Sequence, residues 1–307
     1  MKLCYALRRG VFYPSRKDNF GEMPDRPHRA TYLPIVKAAG FEGVEIPAGG
    51  VLRGDVTEAA ARDLGAELRD AGLPAACVRG GGPLSHPREG AAARERVRQT
   101  IQYAAWIGAS VVNTGIVAPA TQPNGPGAER RGEPVSQGAS RYASEADFVE
   151  MANRLREAGK LAADHGLDLS IEIHQGSIAD NSWSGLRLVE LIDLPNVGVN
   201  PDLGNIYWQF DEPEESSEEA IVALAPKAKY WHCKNLKKVY FPQLQKAIFL
   251  RVPLDLGDVD YRFAIGAMLD AGYQGYMAIE GVNTGDQLSQ DTQSARYARK
   301  LIEEMRR

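Results

Sequence analysis

Short β-rich segments alternate with amphipathic helical segments along almost the whole of the 307 residues. This alternation constrains the fold more than any other feature, because it predicts parallel strands joined by right-handed helical crossovers. Eight strand-plus-helix units can be counted along the chain. The expected fold is therefore α/β, a single (β/α)8 TIM barrel domain over residues 1–307 with extended βα loops.

Turn signals and short apolar runs set the predicted elements. Strands are expected at Leu3–Leu7, Gly43–Ile46, Ala75–Val78, Ser110–Thr114, Asp168–Ile173, Val197–Asn200, Lys229–Cys233 and Tyr276–Ile279. Helices are expected at Arg29–Ala39, Thr57–Ala71, Glu89–Ile107, Glu145–His165, Ser184–Ile192, Glu214–Leu224, Tyr261–Ala271 and Asp291–Met305. Thr57 and Ser144 carry hydroxyls that favour helix starts, so we predict that they are N-caps.

Two segments are too long for ordinary turns between a strand and a helix. Ile116–Ser144 is rich in Gly, Pro, Gln and Ser, and Lys237–Pro253 forms a second insertion. Both follow strands at the end of the barrel where such enzymes place substrate loops. We expect each segment to be a lid over the pocket or a subunit contact.

Composition and charge limit the classes of partner. The chain has 36 basic and 40 acidic residues and a net charge of −4, so it has no basic field for nucleic acid or an anionic membrane. The apolar run at the N-terminus is too short for a signal peptide, and no run approaches the roughly 18 apolar residues of a membrane span. Three widely spaced cysteines, Cys4, Cys77 and Cys233, argue against a disulfide framework. These features predict a cytoplasmic protein.

Polar residues end four successive late strands, at the point where each apolar run stops. They are Glu172 in Ser-Ile-Glu-Ile-His, Asp202 in Asn-Pro-Asp-Leu-Gly-Asn, His232 in Tyr-Trp-His-Cys-Lys-Asn and Glu280 in Ala-Ile-Glu-Gly. The carboxyl ends of parallel barrel strands converge on one mouth, so residues distant in sequence meet there. One such glutamate is usually solvated or salt-bridged, but four at equivalent positions predict a shared site, because burying unpaired carboxylates is costly.

Three carboxylates and one imidazole form a mixed oxygen and nitrogen ligand set without thiolates. Such a set favours Mn²⁺, Mg²⁺ or Co²⁺ over a structural zinc ion, and it leaves a catalytic Zn²⁺ open. We therefore expect one divalent metal ion, with Mn²⁺ as the first choice.

At these strand ends the sequence resembles the xylose-isomerase-like barrel superfamily, which includes sugar phosphate isomerases/epimerases, ketose 3-epimerases, inosose dehydratases and endonuclease IV. The resemblance spans nearly the whole chain and is strongest at Ile171–Gly176, Val197–Asn205, Trp231–Asn235, Leu256–Asp260 and Gly272–Gly281. It implies that the metal ligands of the family fall on Glu172, Asp202, His232 and Glu280.

Departures from the family pattern narrow the chemistry. Members that cut DNA hold a three-metal cluster with several additional histidines, whereas this chain has only five histidines, and Asn205 stands where many relatives have His. A DNA-repair nuclease is therefore not expected. Asn235 follows Lys234 where relatives often have Asp, which leaves the metal ligands unchanged.

Several further residues are candidates for binding substrate. His174 lies two residues after Glu172, so both side chains point to the same side of the strand. It is expected to bind a substrate hydroxyl or transfer a proton, and the alternative is a histidine satisfied by a backbone partner. Lys234 shares the parity of His232, and it either contacts substrate or pairs with a carboxylate at the rim. Asn205 is a further substrate-binding candidate.

Two other charged residues have alternative interpretations. Arg251 lies between His232 and the Leu-Gly-Asp-Val-Asp run, where the resemblance implies an arginine that meets the substrate oxygens; a surface arginine is the alternative. Glu45, in Val-Glu-Ile-Pro, either binds a sugar hydroxyl or forms an ion pair beneath the mouth.

The resemblance implies a divalent-metal-dependent isomerase or epimerase acting on a ketose or keto-sugar through a metal-stabilised enediolate. Glu172 and Glu280 would transfer the protons, with His174 as a third catalytic candidate. Expulsion of a β-substituent from the same enediolate would give a lyase or dehydratase, of the inosose dehydratase or 3-oxo C-glycoside deglycosidase type. A non-catalytic sugar-binding barrel is a third class, but the loss of a metal ligand that it predicts is not found in the sequence.

The expected partner is a small sugar or keto-sugar. Binding to nucleic acid or to a membrane is not expected. Relatives often form dimers or tetramers through βα loops, so the resemblance also implies a homo-oligomer, with a different partner subunit as the alternative. The two insertions, Ile116–Ser144 and Lys237–Pro253, are the segments expected at such a contact.

Overall fold

The computed structural model describes residues 1–6, 23, 25–52, 56–86, 89–116, 140–208, 214–244, 246–282 and 285–306. Its strands are β1 (Lys2–Ala6), β2 (Gly43–Pro47), β3 (Ala75–Arg79), β4 (Val111–Thr114), β5 (Asp168–Glu172), β6 (Val197–Asn200), β7 (Trp231–Cys233), β8 (Asn235–Phe241), β9 (Lys246–Val252) and β10 (Tyr276–Ile279). Its helices are α1 (Arg26–Ala38), α2 (Ala48–Val51), α3 (Glu58–Asp70), α4 (Gly90–Ile107), α5 (Glu145–Asp164), α6 (Ser182–Ile192), α7 (Leu203–Tyr207), α8 (Ser217–Leu224), α9 (Tyr261–Asp270) and α10 (Gln287–Met305).

Eight strands form one parallel sheet in the order β6-β5-β4-β3-β2-β1-β10-β7. The two ends of this sheet meet, because Val199 forms a parallel bridge with Ala228 and its carbonyl accepts a hydrogen bond from the Lys229 amide. Helices lie between the strands along the chain. The sheet is therefore nearly closed, and the predicted (β/α)8 barrel is confirmed.

Local side-chain chemistry sets several helix ends. The Thr57 hydroxyl accepts a hydrogen bond from the Ala60 amide at the start of α3. Ser144 forms a reciprocal capping box with Asp147 at the start of α5. Both N-caps were predicted from the sequence and are confirmed, since each satisfies an amide that the helix leaves without an internal partner.

The two faces of the barrel sheet pack differently. Outward-facing side chains join the helices in the main hydrophobic core, whereas a small inner cluster fills the barrel below its mouth. The inner cluster contains Cys4, Ala76, Cys77, Val111, Tyr230 and Ala278, with Tyr276 packed against it. It closes the barrel from beneath, so polar residues one layer higher face the carboxyl ends of the strands.

The second predicted insertion has more order than expected. Asn235–Phe241 and Lys246–Val252 pair as the antiparallel hairpin β8–β9. The prediction missed it because the run lacks the Asn-Gly type of turn that marks a hairpin in a sequence. Residues 117–139 of the first insertion, and Leu7 of the first predicted strand, lie outside the described residues.

Other boundaries shift by a few residues. The last helix begins at Gln287, because Asp286 caps it by accepting a hydrogen bond from the Ser289 amide. The short helices α2 and α7 were not predicted, since four or five residues carry too little periodicity to be recognised. The assignment of residues 1–307 to one domain stays a prediction.

Within the described ranges, no helix is both long enough and apolar enough to cross a bilayer. The three cysteines are free thiols and are buried. Burial raises the pKa of the Cys4 and Cys77 thiols well above the usual value, so their thiolate forms are disfavoured at neutral pH.

Asp291 is a buried carboxyl on α10, only 1% exposed. It lies close to Gly281, just past the end of β10. Neither of its oxygens accepts a well-formed hydrogen bond in the described part of the chain. Burial raises the pKa of Asp291 to about 7, although Tyr5, the Val282 amide and Gln287 oppose part of this rise.

Asp291→Asn is expected to remove a pH dependence of stability. A carboxyl whose pKa is raised by folding stabilises the protein fully below its ordinary pKa of 3.8, and this contribution is lost as the pH rises through about 7. The variant should therefore gain stability relative to wild type between about pH 4 and about pH 8, by at most roughly 4 kcal/mol. Thermal unfolding of the metal-free proteins measures the difference in stability between the variant and wild type, with the exposed Asp270→Asn as control. A difference that stays constant over this pH range would contradict the prediction.

Candidate metal centre

The four strand-end residues meet at the barrel mouth. Glu172 ends β5, Asp202 follows β6, His232 lies in β7 and Glu280 follows β10. One ligand atom from each lies within 4.8 Å of every other, and all four side chains are buried. These strands are consecutive around the closed barrel, so the residues form a continuous arc.

His232 Nδ1 lies at the centre of this arc. It is 3.3 Å from Glu280 Oε1, 3.5 Å from Glu172 Oε1 and 3.9 Å from Asp202 Oδ2. Within the described residues this fully buried nitrogen makes no hydrogen bond. A buried imidazole nitrogen that faces three carboxylates without a hydrogen bond is the environment that a divalent cation satisfies. The four residues therefore fit one metal ion.

The other imidazole nitrogen is held by Glu45. His232 Nε2 lies 2.6 Å from Glu45 Oε2, and Arg79 Nε donates to Glu45 Oε1 at 2.6 Å. Burial by itself raises the pKa of Glu45. The charges of His232 and Arg79 lower it by more than burial raises it, so the pKa is about 2. Glu45 therefore stays a carboxylate that orients the ring and directs Nδ1 toward the arc, as carboxylates behind metal-ligating histidines do.

The protonation of His232 follows from the same contacts. Burial lowers the pKa of His232, while the charges of Glu45 and Glu172 raise it, to a net value of about 9. In the metal-free site the ring is therefore protonated at neutral pH. A cation that binds Nδ1 must displace this proton.

Three asparagines complete the site. Asn113 Nδ2 donates to Glu172 Oε2 at 3.1 Å, and Asn205 Nδ2 lies 3.2 Å from Glu172 Oε1 and 2.9 Å from Asp202 Oδ2. Asn200 donates to Asn113 Oδ1 and accepts the His232 amide at 2.6 Å. Asn205 thus contacts two of the acidic residues, and its role in binding substrate stays a prediction.

Sequence reasoning missed Asn113 and Asn200. Asn200 is the last residue of the apolar strand Val-Gly-Val-Asn, and Asn113 is the last but one of Val-Val-Asn-Thr, so both carry a strand-end signal similar to that of the four ligand candidates. An amide carries no charge, so this signal does not mark them as candidate metal ligands. Asn113 supports Glu172 by donating to its carboxylate, and Asn200 in turn donates to Asn113.

Lys234 is also drawn into the site. Its Nζ lies 2.7 Å from Asp202 Oδ2 and 2.8 Å from Glu280 Oε2, and its side chain is 2% exposed. The structure thus favours the alternative in which this lysine pairs with carboxylates of the mouth. The ammonium therefore neutralises part of the negative charge of the acidic cluster.

His174 lies at the edge of the site and is partly buried. Its Nδ1 is 2.7 Å from the carbonyl oxygen of Gln175, so Nδ1 carries the proton and Nε2 is left as the acceptor. Burial lowers the pKa of His174, and the charge of Glu172 only partly opposes this. The ring is therefore close enough to sense Glu172, while one nitrogen has the backbone partner that the alternative interpretation expected.

Arg251 extends from the β8–β9 hairpin toward the mouth. Its guanidinium carbon lies 5.6 Å from the centre of the Trp208 ring, and its buried Nε makes no hydrogen bond in the described part of the chain. Burial lowers the pKa of Arg251, and the charges of Asp202 and Glu172 oppose this, so it faces the acidic arc. The hairpin turns this arginine inward.

Asn235 anchors the hairpin that carries Arg251. Its Nδ2 donates to the carbonyls of Leu254 and Val259, while its Oδ1 accepts the amides of Leu236 and Val259. An ionised aspartate, the residue that the resemblance implied at this position, could not donate the first two bonds.

A parallel barrel whose mouth holds three carboxylates and an imidazole around one point defines the class of α/β-barrel proteins with a candidate metal centre. The chain belongs to the xylose isomerase-like TIM barrel family, whose model matches residues 33–306. The predicted family is thereby confirmed.

Two curated relatives are dehydratases. The chain is 29% identical over 93 residues to a 3-dehydroshikimate dehydratase of Bacillus anthracis, covering 30% of this chain and 32% of that protein. It is 27% identical over 157 residues to an inosose dehydratase of Yersinia enterocolitica, covering 45% of this chain and 49% of that protein. The aligned segments thus span from about a third to half of the relatives' length.

Solved structures share the fold over nearly the full length. A xylose isomerase-like TIM barrel protein from Mycobacterium smegmatis, in complex with magnesium, has a TM-score of 0.77 at 20% identity and covers 99% of this chain and 97% of its own. An L-ribulose 3-epimerase has a TM-score of 0.73 at 16% identity, covering 99% and 95%. At these identities the likeness concerns the fold.

Glu280→Gln is expected to abolish tight binding of a divalent ion, because an amide replaces one of three anionic ligands around His232 Nδ1. The loss of affinity for Mn²⁺ should exceed about a hundredfold. Metal content after dialysis measures it, with Glu95→Gln on the exposed face of α4 as the matched control. Undiminished metal content in Glu280→Gln would refute the ligand set.

Glu45→Gln is expected to weaken Mn²⁺ binding by about 10- to 100-fold, less than the loss of a direct ligand, because the amide no longer holds the charge behind His232. Isothermal titration with Mn²⁺ gives both affinities. If Glu45→Gln binds Mn²⁺ as tightly as wild type, the carboxylate does not act through the imidazole.

Proposed function

We propose that the protein is a divalent-metal-dependent sugar isomerase or epimerase acting on a ketose or keto-sugar. The observation that carries this proposal is the placement of Glu172 and Glu280 at the two ends of the arc, with an oxygen of each 3.3 to 3.5 Å from the same imidazole nitrogen. Two carboxylates that approach one point from different strands suit the removal of a proton from one side of a carbon and its return from another.

We further propose that Glu172, Asp202, His232 and Glu280 hold the ion, with Mn²⁺ as the first choice and Mg²⁺, Co²⁺ or Zn²⁺ as alternatives. The oxygen-rich donor set supports the harder ions, and a related structure was determined with magnesium. When bound, such an ion would polarise a substrate carbonyl and so acidify the neighbouring C–H bond.

The side chains around the arc divide the remaining work. Among the described residues, Glu172 accepts hydrogen bonds from the neutral amides of Asn113 and Asn205, which leave it its negative charge for accepting a proton. Glu280 Oε2 is paired with the Lys234 ammonium, which supplies positive charge where the substrate gains negative charge. Arg251 is placed to donate hydrogen bonds to substrate oxygens, because its Nε is buried without a hydrogen bond in the described part of the chain.

The return of the proton decides the product. Return to the opposite face of the same carbon gives an epimer. Return to the neighbouring carbon, together with transfer of a proton from the hydroxyl oxygen of the first carbon to the former carbonyl oxygen, gives an aldose from a ketose.

The second candidate is a lyase or dehydratase acting on a keto-sugar. His174 favours it, since the Gln175 carbonyl fixes the proton on Nδ1 and leaves Nε2 available beside Glu172. This nitrogen could take the proton from carbon and deliver it to a departing hydroxyl. The two relatives named above as dehydratases lend support to this candidate.

A proton-exchange experiment tests the proposal. The Mn²⁺-loaded protein is incubated in D₂O with ketoses, 3-oxo-glycosides and inososes, and deuterium at carbon is followed by NMR. We expect deuterium next to the carbonyl of at least one compound. If the protein is a dehydratase, His174→Gln should lower the rate of this exchange by more than about a hundredfold. If it is an epimerase, the same variant should lower the rate by less than about tenfold. The exposed His165→Gln is the matched control.

The products separate the two candidates further. An epimer or aldose supports the first proposal, and an unsaturated or deoxygenated product supports the second. Absence of exchange with every compound would exclude both.

The assembly and location of the protein stay proposals. A homo-oligomer is supported by exposed apolar side chains on the β8–β9 hairpin, including Tyr240, Ile248 and Leu250. The acidic net charge supports a small-molecule substrate rather than nucleic acid. Three free cysteines support a cytoplasmic location, where thiols stay reduced.

A further inference from the structure

Arg79 is a cation at the barrel mouth that sequence reasoning did not select. It is the last residue of β3, two positions after Cys77, which belongs to the inner cluster of the barrel. Residues two apart on a strand point to the same side. Arg79 therefore points into the barrel, one layer nearer to the mouth than Cys77.

The guanidinium of Arg79 is only partly used by the protein. Nε donates to Glu45 Oε1 at 2.6 Å, whereas in the described part of the chain no hydrogen bond reaches Nη1 or Nη2. Glu45 is fully buried, but the Arg79 side chain is 28% exposed. One edge of the group is thus fixed, and its terminal nitrogens are open to a ligand.

Space lies beside this arginine because glycines form the adjacent rim. Gly82 donates to the Gly115 carbonyl at 3.0 Å, so the chains that follow β3 and β4 pack backbone against backbone. Among the described residues, a Cβ atom added at Gly115 would come within 4 Å only of Glu172 Oε2, at 3.9 Å. The rim between Arg79 and Glu172 therefore leaves room that a substrate can occupy.

The charge of the site favours an anionic ligand. In the described residues the carboxylates at the mouth are Glu45, Glu172, Asp202 and Glu280, and the cationic side chains are Arg79, Lys234 and Arg251. With a divalent ion bound at the neutral His232 ring, the three cationic side chains and the ion exceed the four carboxylates by one positive charge. Lys234 is already paired with two carboxylates, so the positive charge that a ligand can reach lies on Arg79 and Arg251.

We propose that Arg79 binds an oxyanion of the substrate, so that the keto-sugar carries a carboxylate or a phosphate group. This inference rests on the proposed function for the carbonyl chemistry. The fork of terminal N–H groups matches the paired oxygens of either anion, and Glu45 holds the fork in orientation. Arg251, on the other side of Glu172, is left for the neutral oxygens.

Binding of three matched ketoses tests the proposal. The affinities of the Mg²⁺-loaded protein for D-fructose, D-fructuronate and D-fructose 6-phosphate are measured by isothermal titration calorimetry. We expect at least one anionic compound to bind about tenfold or more tightly than D-fructose. Arg79→Gln should bring that preference to within about twofold while the affinity for D-fructose is kept. The exposed Arg98→Gln is the matched control and should behave as wild type.

A second variant separates substrate binding from support of the metal site. Arg79→Lys keeps a cation for Glu45 but lacks the fork, so metal content should be unchanged while the preference for the carboxylate is reduced. A retained preference for the phosphate in Arg79→Lys would identify phosphate as the ligand, because an ammonium binds phosphate as a point charge.

Three results would overturn the inference. The first is that the wild-type protein binds no anionic compound, and the second is that it binds the neutral and anionic compounds equally tightly. The third is that Arg79→Gln loses its metal and binds all three compounds more weakly by the same factor. The D₂O exchange experiment is independent of these affinities. If exchange is absent but Arg79 still confers the preference, the proposed function fails and the anion site stands.

Discussion

The mouth of the barrel depends on the burial of three carboxylates around one imidazole nitrogen. Removing each charge from water costs several kcal/mol, and the mutual repulsion of the carboxylates adds to that cost. Asn113 donates to Glu172 Oε2 and Lys234 to Glu280 Oε2, the oxygens farther from His232 Nδ1, while Asn205 and Lys234 both donate to Asp202 Oδ2. At the centre, His232 Nδ1 makes no hydrogen bond in the described part of the chain. A cation at that point offsets the remaining cost, which is why the geometry favours an ion over a purely structural ion-pair network.

The pairing of the barrel strands places these residues together at the mouth. The acidic residues and His232 come from four strands that are consecutive around the barrel, so no long loop is needed to assemble them. Asp202 also caps α7 by accepting the Asn205 amide, which ties the carboxylate to the start of a helix. Rigid strand ends and a capped helix hold the side chains close enough that one ion can contact all of them.

The strand-end pattern explains how much of the fold and site could be predicted. Alternating segments predicted the barrel, and apolar runs that stop at Glu172, Asp202, His232 and Glu280 predicted residues that do converge. The partners of each polar atom could not be predicted, since they depend on distances across the barrel. Glu45 and Lys234 fit both an ion-pair and a substrate interpretation in sequence, and only their contacts with His232 and Asp202 distinguish them. The β8–β9 hairpin was missed because its turn carries no recognisable signal.

The carboxylate of Glu45 connects the proposed metal site to the proposed oxyanion site. Glu45 uses one oxygen for His232 Nε2 and the other for Arg79 Nε, so a change in the position of either partner is felt by the other. If Arg79 binds an oxyanion, part of its positive charge turns toward the substrate, and Glu45 then presents more negative charge to the imidazole. A more basic imidazole binds a divalent ion more tightly. Because coupling between two binding sites is reciprocal, the ion must in turn strengthen the binding of the anion. Substrate and ion would therefore assemble cooperatively, through a residue that touches neither.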